Sequence, residues 1–196
     1  MSQIKELLID QLQDLLSAET QLTQALPKMA EAAHHPKLKE SFEKHLSQTE
    51  GHVHRLKQIF GILGGKPASK QCKAMKGLVE EGQETIQEGK QKEAMTADLA
   101  LIAAAQRVEH YEIAAYGTAK SLARQLGEFD CALLLSHTLG EEEAADFLLT
   151  GISQPIMQQM SLDDMNGNVD LETVGVGPNQ KSAPTNKKAG RKSQAQ

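Results

Sequence analysis

The chain has 196 residues, of which 39% are hydrophobic and 3% aromatic, and a net charge of −5. This length allows one domain with a sizeable core, and the acidic balance argues against a dedicated nucleic-acid-binding protein. No apolar run approaches the roughly 20 residues that a membrane span needs. Two isolated cysteines favour a reducing compartment, so we expect a cytoplasmic protein that does not contact a membrane.

The first part of the sequence predicts two long helices that form a hairpin. Residues from about Ile4 to Ala33 place apolar side chains three and four apart, the pattern of a helix with one buried face. Pro27 lies inside this segment and predicts a kink or a local break. A second helix is predicted from about Lys37 to Leu63, with Pro36 placed to open it.

The second part predicts another hairpin after a long connection. "GGKPAS" interrupts the periodicity, and a shorter amphipathic helix follows from about Lys70 to Glu88. Two long helices are then predicted, one from about Met95 to Leu126 and one from about Phe129 to Ile152. Gly127 between them is a suitable helix stop.

These elements predict an all-α fold, specifically an antiparallel four-helix bundle of the ferritin-like kind. Two helical hairpins are joined by a long crossover that contains a short extra helix. We assign residues 1–160 to this bundle and expect residues 161–196, rich in Gly, Asn, Lys and Ser, to be a disordered basic tail. The layout fits a purely structural bundle equally well.

Acidic residues fall at one common level of this predicted bundle. Glu19 precedes the first hairpin turn by about as many residues as Glu50 follows it, and Glu112 and Glu142 are matched about the second turn. At about 1.5 Å per residue, all four lie roughly 23 Å from their turns. Glu109 and Glu112 also fall in register with the apolar positions of their helix, and Glu19 lies within the apolar stripe of its own, which predicts that all three point into the core.

Most of these acids have a second candidate ligand one helical turn away. On the second helix of each hairpin, His or Asp follows the acid at i+4, and on the third long helix a second glutamate lies at i−3. The resulting candidate metal ligands are Glu19, Glu50, His54, Glu109, Glu112, Glu142 and Asp146.

Several alternatives stay open at this level. His52 is the main rival of His54, while His45 lies more than one turn from the predicted metal level. Glu141 is expected to face solvent or to contact a ligand. Tyr116 falls on the inner face, where it could hydrogen-bond a ligand carboxylate, relay an electron or simply fill the core.

Clustered carboxylates in a bundle core require a compensating charge. Each buried charge costs several kcal/mol unless it is neutralised. Protonation could relieve part of this cost, and two metal cations could relieve more of it. Mixed carboxylate and imidazole ligands without a thiolate suit iron, or alternatively manganese, and argue against a structural zinc.

Several segments resemble the bacterial YciE/YciF stress-protein family. The likeness covers about residues 3–155, and it includes "AMKGLVEEG", "LGEEEAAD" and the highly specific run "AAAQRVEHYEIAAYGT". The resemblance supports Glu19, Glu109, Glu112 and Glu142 as ligands. Ferritin-like proteins usually carry Glu-xx-His, whereas here Glu-xx is followed by Val or Ala, so a second ligand must come from i+4 or be absent.

The resemblance implies a cytoplasmic homodimer with a dimetal centre and a part in the stress response. The leading hypothesis is a di-iron protein that oxidises ferrous iron with oxygen or peroxide, as a ferroxidase does. One alternative is a non-enzymatic structural stress protein with a vestigial metal site. Another is a peroxide-detoxifying protein similar to manganese catalase on the same ligands.

Overall fold

The computed structural model describes residues 2–67 and 70–167, with the side chains of 166 and 167 left aside. The described part of the chain is helical and contains no strand. It forms the helices α1 Gln3–Ala32, α2 Pro36–Ile62, α3 Lys73–Gly89, α4 Ala94–Gln125 and α5 Phe129–Gly167. The predicted all-α fold is therefore confirmed, with each predicted helix start within three residues of the observed one.

The bundle is built from two hairpins, α1–α2 and α4–α5, with α3 in the connection between them. Two apolar clusters fill its interior. The first contains Leu26, Phe42 and Ile152, and the second contains Leu12, Phe60 and Ala123. Because their members come from opposite halves of the same helices, the clusters lie toward opposite ends of the bundle and leave a central layer between them.

The turn of the first hairpin is fixed to α4 by a buried carboxylate. Asp98 is 2% exposed, and its two oxygens accept the backbone N–H groups of His34 and His35, each at 2.8 Å. The His35 side chain accepts the N–H of Lys37 at the start of α2, directly beside Pro36. Backbone donors that a helix start leaves without a partner are therefore satisfied inside the protein.

The crossover is attached to α1 and α4 by polar contacts around Cys72. The backbone N–H of Cys72 donates to Ser17 Oγ at 2.9 Å, and its Sγ accepts the N–H of Met75 at the start of α3. The Tyr111 hydroxyl donates to Asp14 at 2.5 Å and lies 3.0 Å from Cys72 Sγ. These contacts hold α3 against the bundle although the connection before it is long.

Two prolines lie inside helices without interrupting them. The predicted local break at Pro27 does not occur, because buried Leu26 and Met29 anchor α1 on both sides of an exposed Pro27. The predicted end of the last helix at Ile152 is also wrong. Helix α5 continues through Pro155 to Gly167, with Ile152 and Ile156 both buried.

The compact unit that contains the bundle spans Met1–Ser161, against a predicted domain of 1–160. Residues 161–167, predicted to be disordered, are helical. The rest of the predicted tail, from residue 168, lies outside the described residues. Within the described ranges, no helix has the length and apolar character needed to cross a membrane.

Candidate metal centre

The central layer of the bundle is polar although it is almost closed to solvent. Its members are 0–5% exposed and come from α1, α2, α4 and α5. They are Glu19, His45, Thr49, His52, Glu109, Glu112 and Glu142. Polar groups buried at this depth are costly unless they have partners, so the layer requires a specific explanation.

Helix α2 contributes His45, Thr49 and His52 to this layer. These residues follow one another at intervals of four and three, in register with the buried Phe42 and Leu56. That spacing places all of them on one helical face. Because Phe42 and Leu56 pack in the core at either end of this face, the polar residues between them are buried as well.

The structure places two predicted ligands on α2, Glu50 and His54, at exposed positions outside the layer. The level predicted from the hairpin turn is close, since Glu50 directly follows the buried Thr49. Each residue turns the helix by about 100°, however, so a shift of one position moves a side chain off the inner face. The structure places His52 in the layer, and it also places His45 there, which was expected to lie too far from the metal level.

The layer contains two groups of residues whose ligand atoms lie within 4.8 Å of one another. One group comprises Glu19, His52 and Glu142, and the other comprises His45, Glu109, Glu112 and Glu142. Glu142 belongs to both groups. The arrangement therefore has the form of two adjoining cation sites with one shared carboxylate.

The closest contacts in each group join an imidazole to carboxylates. His52 Nδ1 lies 2.9 Å from Glu142 Oε1 and 3.2 Å from Glu19 Oε1. His45 Nε2 lies 3.4 Å from Glu109 Oε1 and 3.6 Å from Glu142 Oε2. The Tyr116 hydroxyl donates to Glu19, which links α4 to α1 inside the layer.

Several buried side-chain atoms of the layer that could bind a metal lack hydrogen-bond partners. They include both oxygens of Glu112, Oε2 of Glu19 and Oγ1 of Thr49. Buried polar atoms in native proteins are rarely left in this state. A donor set of carboxylates and imidazoles without thiolates fits iron or manganese, so these residues fit a pair of such ions.

Burial and mutual repulsion favour the protonated forms of the carboxylates in the layer. Burial and the neighbouring carboxylates raise the pKa values of Glu109 and Glu112 well above the usual range. Burial alone lowers the pKa of His52, but its contacts with Glu142 and Glu19 outweigh burial and raise it to about 10. Burial lowers the pKa of His45.

Asp146, the remaining predicted ligand, lies outside both groups. Its Oδ1 accepts a hydrogen bond from Gln106 Nε2 at 3.0 Å and lies 3.4 Å from His110 Nε2. Asp146 therefore joins α5 to α4 at the edge of the layer, and its inclusion in the predicted site is corrected.

A narrow crevice reaches the layer from one side. It has a volume of about 60 Å³ and passes between α2, α4 and α5. His45 and Glu109 line its inner part, and Lys44, Gln48 and Ala145 are among its other lining residues. The group that contains His45 is therefore the half of the layer nearer to this opening.

Comparison with known proteins identifies the family. Residues 3–161 match the family described as a domain of unknown function, DUF892. The chain is also 46% identical to protein YciF of Escherichia coli strain K12 over 154 residues, which is 78% of this chain and 92% of that protein. The chain belongs to the DUF892 family.

Solved structures place this DUF892 member among ferritin-like folds. The E. coli stress protein YciF is 43% identical, with a TM-score of 0.77 over 81% of this chain and 99% of that one. YcfI of Rhodopseudomonas palustris, described as a candidate structural protein, is 41% identical, with a TM-score of 0.72 over 76% and 94% of the two chains. A ferritin-like, diiron-carboxylate protein of Bacillus anthracis strain Ames shares the fold at 21% identity, with a TM-score of 0.61 over 79% and 100%.

Sequence reasoning missed His45 and Thr49 and preferred His54 to His52. The signal that could have found them is the register of Phe42 and Leu56, since buried positions recur at intervals of three and four from one to the other. Counting residues from the hairpin turn set the level but left the face undetermined.

Proposed function

We propose that this chain is a dimetal carboxylate protein that oxidises ferrous iron with oxygen or peroxide. The observation that carries the proposal is the set of buried carboxylate and imidazole atoms without partners in the central layer. Ferritin-like neighbours that include a diiron-carboxylate protein support the same assignment.

Two overlapping ligand sets would hold the ions. Glu19, His52 and Glu142 would hold one ion, and His45, Glu109 and Glu112 would hold the other together with Glu142. Because Glu142 belongs to both sets, the two sets adjoin each other. Two ferrous ions held there would each give up one electron, and the two electrons together would suffice to reduce one peroxide to water.

The protein residues prepare this site in three ways. The carboxylates offset the charge of the cations, and burial strengthens that attraction by excluding water. Tyr116 donates a hydrogen bond to Glu19 and thereby fixes the direction of that carboxylate. The crevice beside His45 offers a path by which ferrous iron, as the substrate, and a small oxidant reach the layer.

Rapid mixing tests the proposed activity. Metal-free protein is loaded anaerobically with ferrous iron and mixed with oxygen or peroxide, and near-ultraviolet absorbance follows the formation of ferric iron. We expect oxidation faster than in buffer, lost in Glu112→Gln and retained in the matched control Glu50→Gln, whose side chain is exposed. Equal rates in all variants and buffer would exclude a protein-bound reaction.

A structural role without bound metal is the second candidate. His52, with a pKa raised to about 10, carries a positive charge that offsets part of the carboxylate charge in the layer. The description of the R. palustris relative also favours this function. This function would be supported if protein isolated from cells contained almost no metal and added metal did not raise its stability. Manganese in place of iron would instead favour peroxide detoxification.

We also propose that two copies of the chain pair through the outer face of α5. Phe129, Leu133 and Phe147 are 69%, 59% and 79% exposed on that helix, and the exposed Gly140 and Ala144 lie between them. Alternating large and small side chains allow two antiparallel copies of one helix to interlock. Sedimentation should show a dimer that Phe147→Glu converts to a monomer, and an unchanged dimer would place the interface elsewhere.

A further inference from the structure

The imidazole of His52 is held from both sides. Its Nδ1 faces Glu19 and Glu142 in the metal layer, while its Nε2 lies 3.0 Å from Glu141 Oε2 on the other side of the ring. The side chain of His52 is 0% exposed. A hydrogen on Nε2 that is donated to Glu141 leaves the lone pair of Nδ1 available on the side of the layer.

Glu141 is itself held in place by Arg55. The Arg55 guanidinium contacts the same Oε2 that faces His52, and Arg55 lies one turn beyond His52 on α2. Glu141 is partly exposed, with 35% of its side chain accessible. The carboxylate therefore sits at the boundary of the bundle, where one of its oxygens contacts both the buried imidazole of His52 and the guanidinium of Arg55.

The other histidine of the layer has no such support. His45 Nε2 faces Glu109 and Glu142 in the layer, and among the described residues no carboxylate pairs with its far nitrogen, Nδ1. His45 also lines the crevice, whereas His52 does not. The two imidazoles thus differ both in how firmly they are oriented and in how close they lie to the opening.

We propose that Glu141, fixed by Arg55, is a positioning residue that presents Nδ1 of His52 to the metal layer. It thereby makes the group of Glu19, His52 and Glu142 the tighter of two unequal metal positions. A partner on the far nitrogen of a metal-binding histidine sets its tautomer and ring orientation, and removing such a partner typically costs 10–100-fold in metal affinity. This inference rests on the proposed function, because it concerns the same centre.

Stepwise binding of cobalt(II) to the metal-free full chain tests the inference. Binding of each added equivalent of cobalt(II) is followed by visible absorption, and the bound metal is counted after free cobalt is removed. We expect two binding steps of different affinity in the unchanged chain. Glu141→Ala should weaken the tighter step by about 10–100-fold and leave the weaker step in place.

Three further variants separate positioning from a general loss of structure. Glu141→Gln keeps an oxygen that can accept from Nε2, so it should restore most of the affinity that Glu141→Ala loses. Arg55→Ala should weaken the same step by a smaller factor. Glu143→Ala changes an exposed glutamate two residues along α5 and should leave both steps unchanged.

The possible outcomes distinguish this inference from the proposed function. Two unaltered binding steps in Glu141→Ala would overturn the role of Glu141 while leaving the dimetal assignment standing. Equal weakening of both steps would also overturn it, because the effect would not be confined to the position of His52. An unchanged chain that binds no cobalt, iron or manganese would overturn the proposed function and this inference together.

Discussion

Tyr116 donates a hydrogen bond to Glu19 in the middle of the bundle, although 97 positions separate the two residues in the chain. Both side chains are 0% exposed. This contact ties α4 to α1 at the level of the candidate metal ligands, so the packing of the helices and the orientation of a ligand depend on the same hydroxyl.

Replacing Tyr116 with Phe should weaken both the fold and the site. The substitution keeps the ring but leaves Oε1 of Glu19 without this donor, and such a loss costs about 1–3 kcal/mol. Urea unfolding of the metal-free chain should show a decrease of that size. A control, Thr118→Val, removes an exposed hydroxyl on the same helix that donates to the backbone carbonyl of Ala114, and should have little effect. Equal stability of the two variants would contradict the role given to Tyr116.

The metal-free chain should become less stable between about pH 6.5 and 8.5. Glu109 and Glu112 have pKa values raised by burial, and His52 has a pKa raised to about 10, so in this window the folded chain binds more protons than the unfolded one. Stability falls with rising pH wherever that holds. The opposing effect of the lowered His45 pKa fades as pH rises above 6.5, because the unfolded imidazole then loses its proton as well.

Urea unfolding at several pH values measures this slope. Glu112→Gln should flatten it, because the amide keeps the shape of a neutral acid without titrating. An exposed control, Glu50→Gln, should keep the original slope. Stability that rises with pH across the window in the metal-free protein would contradict the assignment of raised pKa values.

Metal binding should release protons and should tighten as pH rises. The protons come from Glu109, Glu112 and His52, whose pKa values are raised. Bound metal requires the deprotonated forms. Calorimetry in buffers of different ionisation enthalpy counts the protons released. A release of zero at neutral pH would mean that the metal binds outside this layer.

Asp98 should stabilise the fold without affecting metal binding. Its carboxylate accepts both backbone N–H groups of the first hairpin turn, and loss of a partner for a buried donor costs about 1–3 kcal/mol. Asp98→Ala should lower the free energy of unfolding by at least that amount, and Asp98→Asn by less. Metal stoichiometry measured on the folded variant should stay unchanged, and its loss would show that the turn and the layer are coupled.

The site residues that could be predicted from sequence lie on helices whose own apolar periodicity indicates which face is buried. Glu19 lies between Leu15 and Leu22, and Glu112 shares a face with Tyr116, so their inward direction follows from periodicity. Helix α2 carries polar residues on all sides, and Glu50, His52 and His54 lie at similar heights along the bundle. On α2 the buried face is set by the packing of Phe42 and Leu56, which lie before and after these polar positions along the helix.

The end of α5 was missed for a related reason. Pro155 and the polar residues around it predict a helix stop when local preferences alone are considered. Burial of Ile152 and Ile156 in the first apolar cluster keeps this segment helical. Tertiary contacts of this kind outweigh local preferences and are not visible in a short stretch of sequence.

Counting bound iron shows whether the buried layer holds two metal ions. Metal-free protein is equilibrated anaerobically with ferrous iron across a dialysis membrane, and bound iron per chain is measured. We expect two ions per chain, a deficit in Glu142→Gln, whose carboxylate belongs to both groups, and no change in the control Glu50→Gln. No stoichiometric iron in the unchanged chain, or equal binding by Glu142→Gln, would contradict this expectation.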